Sequence, residues 1–475
     1  LLEYLADSTA LVNYDMNLAI IGVNLRHWLN DPAMQYIING KLAAKGDGFD
    51  PETLKANVQG DFGNLLIYGN AIQRLNLLLD YNAGDVSGLL NGSGGFGEIH
   101  VQPELKRILS DMPSYLLNVQ ARKLNIAAVT GQKEYASDIN LDANINGAGF
   151  DLNRMNAKSL IEMSPSKIMG ITIDTLNSSV DFIRQNLIIN NLFAQAFSAQ
   201  LLASGNYSFK DSSDLKVDLR VDNVDSIARF LQIDSVETSA HVNARLVGVL
   251  NNLNADVDLN IGKTKYKDMV SLDSLTGKVN ATIIELGKSI LANGNILAGG
   301  IIASGFEIDT VKLQGTSDTK NTSLDLSAKN KDINTHLNGI VSIGDTINAK
   351  LADLWLNYKG YDWRTVKDTA FINVTNNEYT VRDLHLVSPG TDSTNTQSIV
   401  LDGNISRVAD QDLKMDISNI NIAQVLNLFN PNQNIAGLLD LNLQLSGTAG
   451  SPVFTGKLNV DSTRFEKYRI NTLAG

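Results

Sequence analysis

The chain lacks several of the residue types on which common protein functions depend. Its 475 residues include no cysteine, only 8 prolines and 6% aromatic residues. The absence of cysteine excludes disulfides, thiolate catalysis and cysteine-ligated metals. No stretch approaches the roughly 18 consecutive apolar residues of a membrane-spanning helix. A net charge of −12 argues against a nucleic-acid partner, because affinity for phosphate backbones comes from clustered Lys and Arg.

Groups that could serve catalysis or bind metals are present, but they do not cluster. The histidines are His27, His100, His241, His336 and His385. None has the His-Glu-x-x-His spacing of a zinc hydrolase, and no Gly-x-Ser-x-Gly elbow is present. Acidic residues mostly alternate with apolar ones, and the Asp arrays of a calcium-binding repeat are missing. The sequence therefore predicts no catalytic centre, no cofactor and no bound metal.

What the chain has in abundance is alternation. Its 37 glycines, together with many Asn and Asp residues, punctuate the sequence as β-turns require, and apolar residues alternate with polar ones between them. If each strand with its turn takes about 11 residues, a single sheet with strands about 4.8 Å apart would extend on the order of 200 Å. The pattern therefore predicts an all-β fold: an elongated, curved antiparallel β-sheet made of repeated strand meanders with a few short helices, enclosing a hydrophobic groove.

One unit recurs along the chain: an alternating run, a short helical stretch and a second alternating run. Equivalent glycines stand at positions 46, 147, 248 and 447, so the spacings are 101, 101 and 199 residues. The first two copies share the motif Gly-x-Gly-Phe-Asp, at 46–50 and 147–151. We therefore predict one continuous repetitive region over 1–475, with repeat-like units near 16–60, 115–157, 215–262 and 413–458. Both ends interrupt a strand-turn pattern, so we expect the chain to be an internal fragment of a longer protein.

Short helices are predicted inside these units, where they are expected to cover edges or ends of the sheet. The helical stretches surround Trp28, Ile126, Phe230 and Val425. Residues 102–110, with Pro103 in the first turn and apolar residues on one face, predict the best isolated helix. Asp50 followed by Pro51 predicts a single helical turn. The glycine-rich stretch 91–97 lacks the spacing of a phosphate-binding loop and is interpreted as a plain turn.

The alternating apolar positions are the candidate functional residues. They are Leu, Ile, Val and Ala rather than the Trp and Tyr platforms of carbohydrate-binding sheets, so acyl chains are the better-matched ligand. Keeping about 30 lipid methylenes out of water is worth roughly 24 kcal/mol. The candidates for lining a lipid groove are Ile139, Leu141, Ile145, Val217, Leu219, Val221, Val257, Leu259, Ile261, Leu439, Leu441, Leu443 and Leu445. The alternative is that side chains from two facing sheets fill the interior completely.

The stretch 435–458 resembles the TamB and AsmA-like envelope proteins. In that family a strand ending in Leu-x-Gly-Thr-x-x-x-Pro leads into a Gly-x-Leu strand, and the Gly-x-Gly-Phe-Asp units resemble the family more loosely. The corresponding residues here are Leu445-Ser446-Gly447-Thr448-Ala449-Gly450-Ser451-Pro452, followed by Gly456-Lys457-Leu458.

The resemblance implies a protein of the bacterial periplasm whose body is a β-taco. It implies anchoring in the inner membrane by an N-terminal helix, and an Omp85-class barrel partner in the outer membrane reached through a C-terminal domain, both missing from this chain. It also implies phospholipid acyl chains as cargo and support of outer-membrane protein assembly or secretion.

Two other classes of function remain open at this point. An extracellular or surface structural or adhesive β-repeat protein would share the length and the turn chemistry, but it would have a filled core. An enzyme is least favoured, because a polysaccharide lyase on a β-solenoid needs regular short coils and a basic catalytic cluster, and the sequence has neither.

Overall fold

Strands account for almost all of the structure. The computed structural model describes residues 13–24, 37–67, 70–230, 236–249, 251–267, 269–303, 305–344, 346–366, 370–389, 396–429, 435–465 and 468–475. Within these ranges the chain forms 34 β-strands, three short α-helices and two 3-10 turns, and the paired strands are antiparallel. The predicted all-β antiparallel fold is confirmed.

The chain divides into two compact units, and the first, unit 1, comprises Leu1–Asp234 and Ala240–Leu250. Its strands are β1 Asn13–Asn24, β2 Ile37–Asp47, β3 Lys55–Ile67, β4 Asn70–Asn82, β5 Asp85–Gly94, β6 Gly97–Lys106, β7 Ser114–Leu124, β8 Ser137–Ala148, β9 Asn156–Met163, β10 Ser166–Ile168, β11 Ile171–Ile173, β12 Thr175–Ile183, β13 Asn186–Ala196, β14 Ala199–Ser208, β15 Ser213–Val221 and β17 Ala240–Val249. Each strand from β1 to β9 pairs with the next, and the order continues through β12, β13, β14 and β15 to β17. The small hairpin of β10 and β11 joins β8.

Unit 2 comprises Ser235–Ser239 and Asn251–Gly475. Its strands are β16 Val236–Glu237, β18 Asn252–Ile261, β19 Thr264–Tyr266, β20 Val270–Leu272, β21 Ser274–Ile284, β22 Ser289–Ala303, β23 Phe306–Ser317, β24 Thr322–Lys329, β25 Ile333–Ile343, β26 Ile347–Tyr358, β27 Tyr361–Thr365, β28 Ala370–Val374, β29 Glu378–Ser388, β30 Gln397–Ser406, β31 Asp410–Asn421, β32 Ile435–Thr448, β33 Ser451–Phe465 and β34 Tyr468–Ala474. The main order runs from β18 through β21 to β26 and from β28 to β34. The short strands β16, β19, β20 and β27 pair beside it.

Side-chain alternation explains why these segments are strands. In β32, Leu441 and Leu443 are half-buried, whereas Asn442 and Gln444 are exposed. Successive side chains of a strand point to opposite faces, so a period of two puts all the leucines on one face of the sheet. Each unit therefore has an apolar face and a polar face.

Four β-bulges in the two units share one hydrogen-bonding pattern. In each, two residues of one strand lie opposite one residue of the next strand, and the second of the two has a positive φ. Its backbone N–H donates to the side-chain oxygen of the opposing Asn or Asp at 2.7–3.1 Å. The pairs are Gly22 with Asn39, Lys123 with Asn140, Asp383 with Asp402, and Asn419 with Asp440. A bulge bends its strand and increases the local twist, so these clamped bulges fix where the strands bend.

Three of the four predicted repeat-unit helices are confirmed. They are α1 Ile126–Thr130, α2 Asp225–Phe230 and α3 Ile422–Phe429. α1 lies between the paired strands β7 and β8, and α2 follows β15. α3 lies between the paired strands β31 and β32 and packs against both. The helix predicted near Trp28 lies outside the described residues.

The prediction of an isolated helix over 102–110 is wrong. This stretch continues β6 to Lys106 and then turns. Val101, Pro103 and Leu105 alternate along one face of the strand, and their fit to the apolar face outweighs the helical spacing that the sequence also contains. No β5–β6 pair forms at Pro103, which has no N–H to donate.

Two turn predictions agree with the structure. The side chain of Asp50 accepts the N–H of Glu52 at 3.0 Å, and its carbonyl accepts the N–H of Thr53 at 3.0 Å, which closes a hydrogen-bonded turn. The glycine-rich stretch 91–97 is the tip of the β5–β6 hairpin. The prediction of one continuous repetitive region remains a prediction, because the two units are described separately.

Candidate binding face

The apolar face of unit 1 is continuous across the sheet. Directly opposed residues of paired strands lie on the same face, so the register connects a row of side chains through fourteen strands. Most members of this row are aliphatic. They are Leu18, Leu42, Gly60, Leu77, Leu90, Val101, Val119, Ala143, Ile161, Ser178, Leu192, Ala203, Val217 and Ala244.

A second row beside the first joins more of the predicted groove residues. Leu141 is opposite Met163, and the register continues through Leu176, Ala194 and Leu201 to Leu219. In β8, Ile139 lies two residues from Leu141, and Ile145 lies two residues from Ala143 of the first row. In β15, Val221 lies two residues from Leu219, and Val217 belongs to the first row. These residues therefore share the face. All six predicted positions of unit 1 are thus on one face: Ile139, Leu141, Ile145, Val217, Leu219 and Val221.

Unit 2 has an equivalent row across thirteen strands, and it is built from smaller side chains. It comprises Ala255, Ala281, Ala292, Ser317, Thr322, Val341, Ala349, Ile372, Val381, Gly403, Leu413, Leu445 and Phe454. Ala255 is two residues from Val257, and Leu445 is two residues from Leu443. The row therefore connects β18 and β32, the two strands that carry the predicted groove residues of unit 2. The predicted positions of unit 2 therefore also share one face: Val257, Leu259, Ile261, Leu439, Leu441, Leu443 and Leu445.

The predicted groove residues are partly shielded from water but not sealed. Only Ile139 and Val221 are fully buried, with 4% and 5% of their surfaces exposed, and the other eleven are half-buried. The interior of a closed sandwich is packed to crystal-like density, which would bury such central aliphatic side chains almost completely. The apolar faces therefore retain accessible aliphatic surface.

One edge of the apolar face in unit 1 is lined by aromatic residues. Tyr14, Tyr81, Tyr115, Phe182 and Tyr207 belong to a single row that the register carries from β1 to β14. This row lies beside the turns that join β2 to β3, β4 to β5, β6 to β7, β8 to β9 and β12 to β13. We call it the aromatic edge.

The Gly-x-Gly-Phe-Asp motif builds this edge twice in the same way. Tyr14 lies opposite Gly46 and stacks on Phe49, with ring centroids 5.3 Å apart. At positions 101 residues later in the sequence, Tyr115 lies opposite Gly147 and stacks on Phe150, again at 5.3 Å. A Cβ at either glycine would collide with the tyrosine ring, which explains why the motif begins with glycine.

The two aromatic pairs differ from the aliphatic rows because each joins a phenol to a phenyl ring at a turn. Burial raises the pKa of the Tyr115 phenol. Phe49 and Phe150 remain 60% and 65% exposed at the turns. In the second motif, hydrogen bonds from the backbone N–H and side chain of Asn153 hold the pKa of Asp151 below its usual range.

The opposite edge of unit 1, which we call the helix edge, is closed by α1 and α2. The N–H of Ile126 donates to the hydroxyl of Ser137 at 2.8 Å, and this hydroxyl donates to the carbonyl of Leu124 at 3.2 Å. Ala128 and Ala228 are the buried residues of the two helices. In unit 2, buried Gln397 donates to Gln424 of α3 at 2.7 Å.

Among the described residues, the polar faces carry His100, His241, His336 and His385 together with several ion pairs. Arg245 binds Asp214 through two bonds of 2.9 and 2.7 Å across β15 and β17, which holds the pKa of Asp214 below its usual range. His241 contacts Asp218 at 2.8 Å on the same face. Open concavities of about 600–860 Å³ also lie there, and their linings mix Asn and Asp with apolar residues such as Leu78, Leu291 and Phe371. The polar face therefore carries the charged groups but is not uniformly polar.

The described ranges were also examined for metal sites and membrane-spanning helices, and they contain neither. They contain no group of three His, Asp or Glu side chains placed to hold a metal ion. Among the same residues, no helix has both the length and the apolar character needed to cross a membrane.

The comparisons with known proteins were negative. No protein-family model matches the chain, and neither a curated protein nor a solved structure matches it. The resemblance carried by residues 435–458 therefore remains a hypothesis.

Sequence reasoning found the aliphatic rows but missed the aromatic edge and the clamped bulges. A signal for the edge existed, since Tyr14 and Tyr115 have the same 101-residue spacing as the motif that was recognised. The bulges left a weaker signal: Ile417 and Ile420 are three residues apart in β31 and share a face, which breaks the period of two.

Proposed function

We propose that this chain carries phospholipid acyl chains along its apolar face, between the inner and outer membranes of a bacterial envelope. In this proposal it is a periplasmic β-taco segment of a TamB-like bridge that also supports outer-membrane protein assembly or secretion. The inner-membrane anchor and the Omp85-class barrel partner belong to the proposal through the family resemblance alone.

One observation carries the proposal: the central rows are continuous in register and mainly aliphatic, yet most of the predicted groove residues are only half-buried. Such rows present a path on which methylenes are shielded from water at every strand. At about 0.8 kcal/mol per methylene, contact with this face offsets much of the cost of taking an acyl chain out of a bilayer. Few polar contacts are required, so a lipid can move from one strand to the next.

The test is native mass spectrometry of the purified chain and of Leu141→Asp and Leu443→Asp. Wild type is expected to retain phospholipid, and each variant is expected to lose most of it. Both leucines are half-buried, so an introduced carboxylate reaches water and the fold survives, which circular dichroism will verify.

Matched Leu→Asp controls exist on the polar face. Leu160 and Leu297 are 55% and 46% exposed, and the same substitution there should leave the lipid content unchanged. If wild type carries no phospholipid and both groove variants unfold, the face is a filled core and the chain is a structural β-repeat protein.

A further inference from the structure

We propose that a phospholipid lies parallel to the strands of unit 1, with its acyl tail directed toward the helix edge and its headgroup at the aromatic edge. This inference rests on the proposed function and adds an orientation that the aliphatic rows alone do not specify.

The two edges of the apolar face differ in chemistry. The helix edge ends in α1 and α2, whose connections are fixed by hydrogen bonds such as the one from Ile126 to Ser137. The aromatic edge ends in tyrosines at a line of turns, where Leu109, Phe150 and Leu152 are more than half exposed. Tyrosine places an apolar ring and a polar tip at a boundary between hydrocarbon and water. Only the aromatic edge therefore suits the boundary between an acyl chain and its headgroup.

The breadth of the apolar face also fits one acyl tail. Six residue steps separate Tyr115 from Ala121, the last regular pair before the clamped bulge at Lys123. At about 3.4 Å per residue this is about 20 Å. A bilayer core of about 30 Å is two tails thick, so one tail spans about 15 Å. A tail laid along the strands therefore ends before the bulge and leaves its headgroup beyond the tyrosines.

Charges at the aromatic edge are of both signs. Lys55 and Arg154 lie at the turns that contain Asp50 and Asp151, and Arg107 lies at the turn between β6 and β7. Both carboxylates already accept turn N–H groups, from Glu52 and Asn153. A zwitterionic headgroup matches this mixture, because it offers a phosphate to the cations and an ammonium to the carboxylates.

The orientation can be tested by fluorescence quenching, because a chain without cysteine accepts a single labelled cysteine at any chosen position. The fluorophore is placed at Leu152→Cys on the aromatic edge or at Val129→Cys in α1 at the helix edge, two exposed positions outside the aliphatic rows. The probe is phosphatidylcholine carrying a nitroxide either on the choline headgroup or near the tail end, loaded from vesicles onto the full chain. We expect the headgroup label to quench position 152 and the tail label to quench position 129, each at least threefold more than the other label does.

Each other outcome overturns a defined part of the argument. The reverse pattern, or equal quenching of both positions by both labels, overturns the orientation while leaving lipid binding intact. Absence of quenching at both positions overturns the proposed function as well. Leu160→Cys on the polar face is the control and should be quenched by neither label.

Discussion

Units 1 and 2 have the same alternating strand pattern, but they differ in the position of their aromatic residues and in the size of the side chains in their central rows. In unit 1, tyrosines line the edge opposite the helices, whereas in unit 2 Tyr358, Tyr361 and Trp363 lie on the same edge as α3. The central row of unit 1 contains mainly Leu and Val. The central row of unit 2 contains Ala255, Ala281 and further small residues.

Both rows are continuous, so the continuity of an apolar face does not depend on the size of its side chains. Register keeps the rows aligned, while side-chain volume decides how much space remains above them. If both faces bind acyl chains, the smaller side chains of unit 2 leave more space for them. Unit 1 instead has tyrosines along the edge opposite its helices. Substitutions at equivalent positions of the two units test how far the units differ.

The largest expected effect comes from two glycines in equivalent hairpins. Gly205 and Gly403 both have φ of 129°, and a Cβ on either would overlap a carbonyl oxygen of the neighbouring strand, that of Asp214 or Asp412. We expect Gly205→Val and Gly403→Val each to destabilise their hairpins by about 2–4 kcal/mol. Hydrogen exchange followed by mass spectrometry should show faster exchange in the affected hairpin.

The control for this pair is Gly450→Ala, because a Cβ at Gly450 meets no atom within 4 Å. Its exchange pattern should match that of wild type. If Gly403→Val exchanges like wild type, the backbone path of β30 differs from the one described.

An intermediate effect on stability should follow from making a side chain smaller in the central row of unit 1 or larger in that of unit 2. Leu90→Ala in unit 1 removes a half-buried side chain and should cost about 1–2 kcal/mol, since part of that surface already contacts water. Ala281→Leu in unit 2 fills open space and should leave stability within about 0.5 kcal/mol while lowering the lipid content. Chemical denaturation and native mass spectrometry measure the two effects. Equal destabilisation by both changes would mean that the row of unit 2 is already filled.

A smaller effect is expected at the clamped bulges. Asn140→Ala in unit 1 and Asp440→Ala in unit 2 each remove the acceptor of one N–H, which should cost about 1 kcal/mol. Exchange at the amide of Lys123 or Asn419 should accelerate. Asp440→Asn keeps a side-chain carbonyl and should restore protection, so protection that is lost equally in both Asp440 variants would argue against the hydrogen bond.

The smallest effect is a pH dependence of the turns. Hydrogen bonds from backbone N–H groups lower the pKa of Asp151 in unit 1 and of Asp318 in unit 2. A carboxyl whose folded pKa is lowered contributes stability above its unfolded pKa of about 3.9 and loses it as the pH falls through the folded value. Stability should therefore not change through these groups between pH 5 and 8 as rough bounds, and the turns should open at lower pH. Asp151→Asn and Asp318→Asn should reduce that acid sensitivity in urea unfolding curves.

The sequence contains most of the information about the strands and less about the edges. Alternation at Leu441 and Leu443 predicts the apolar face correctly because a period of two has few alternative structures. Residues 102–110 fit both a helix and a strand, and only the neighbouring strands decide between them. The aromatic edge depends on pairing partners such as Gly46 and Gly147, which a single sequence does not specify.

The clamped bulges bear on how such a chain changes in length during evolution. Where Ser418 and Asn419 together oppose Asp440, one strand carries a residue more than its partner. Deleting Ser418 would make β31 regular, and Ile417 and Ile420 would still share a face. Elsewhere in a strand, a one-residue deletion would send every later side chain to the wrong face. The bulges are therefore sites at which single-residue insertions and deletions are absorbed without inverting the sheet.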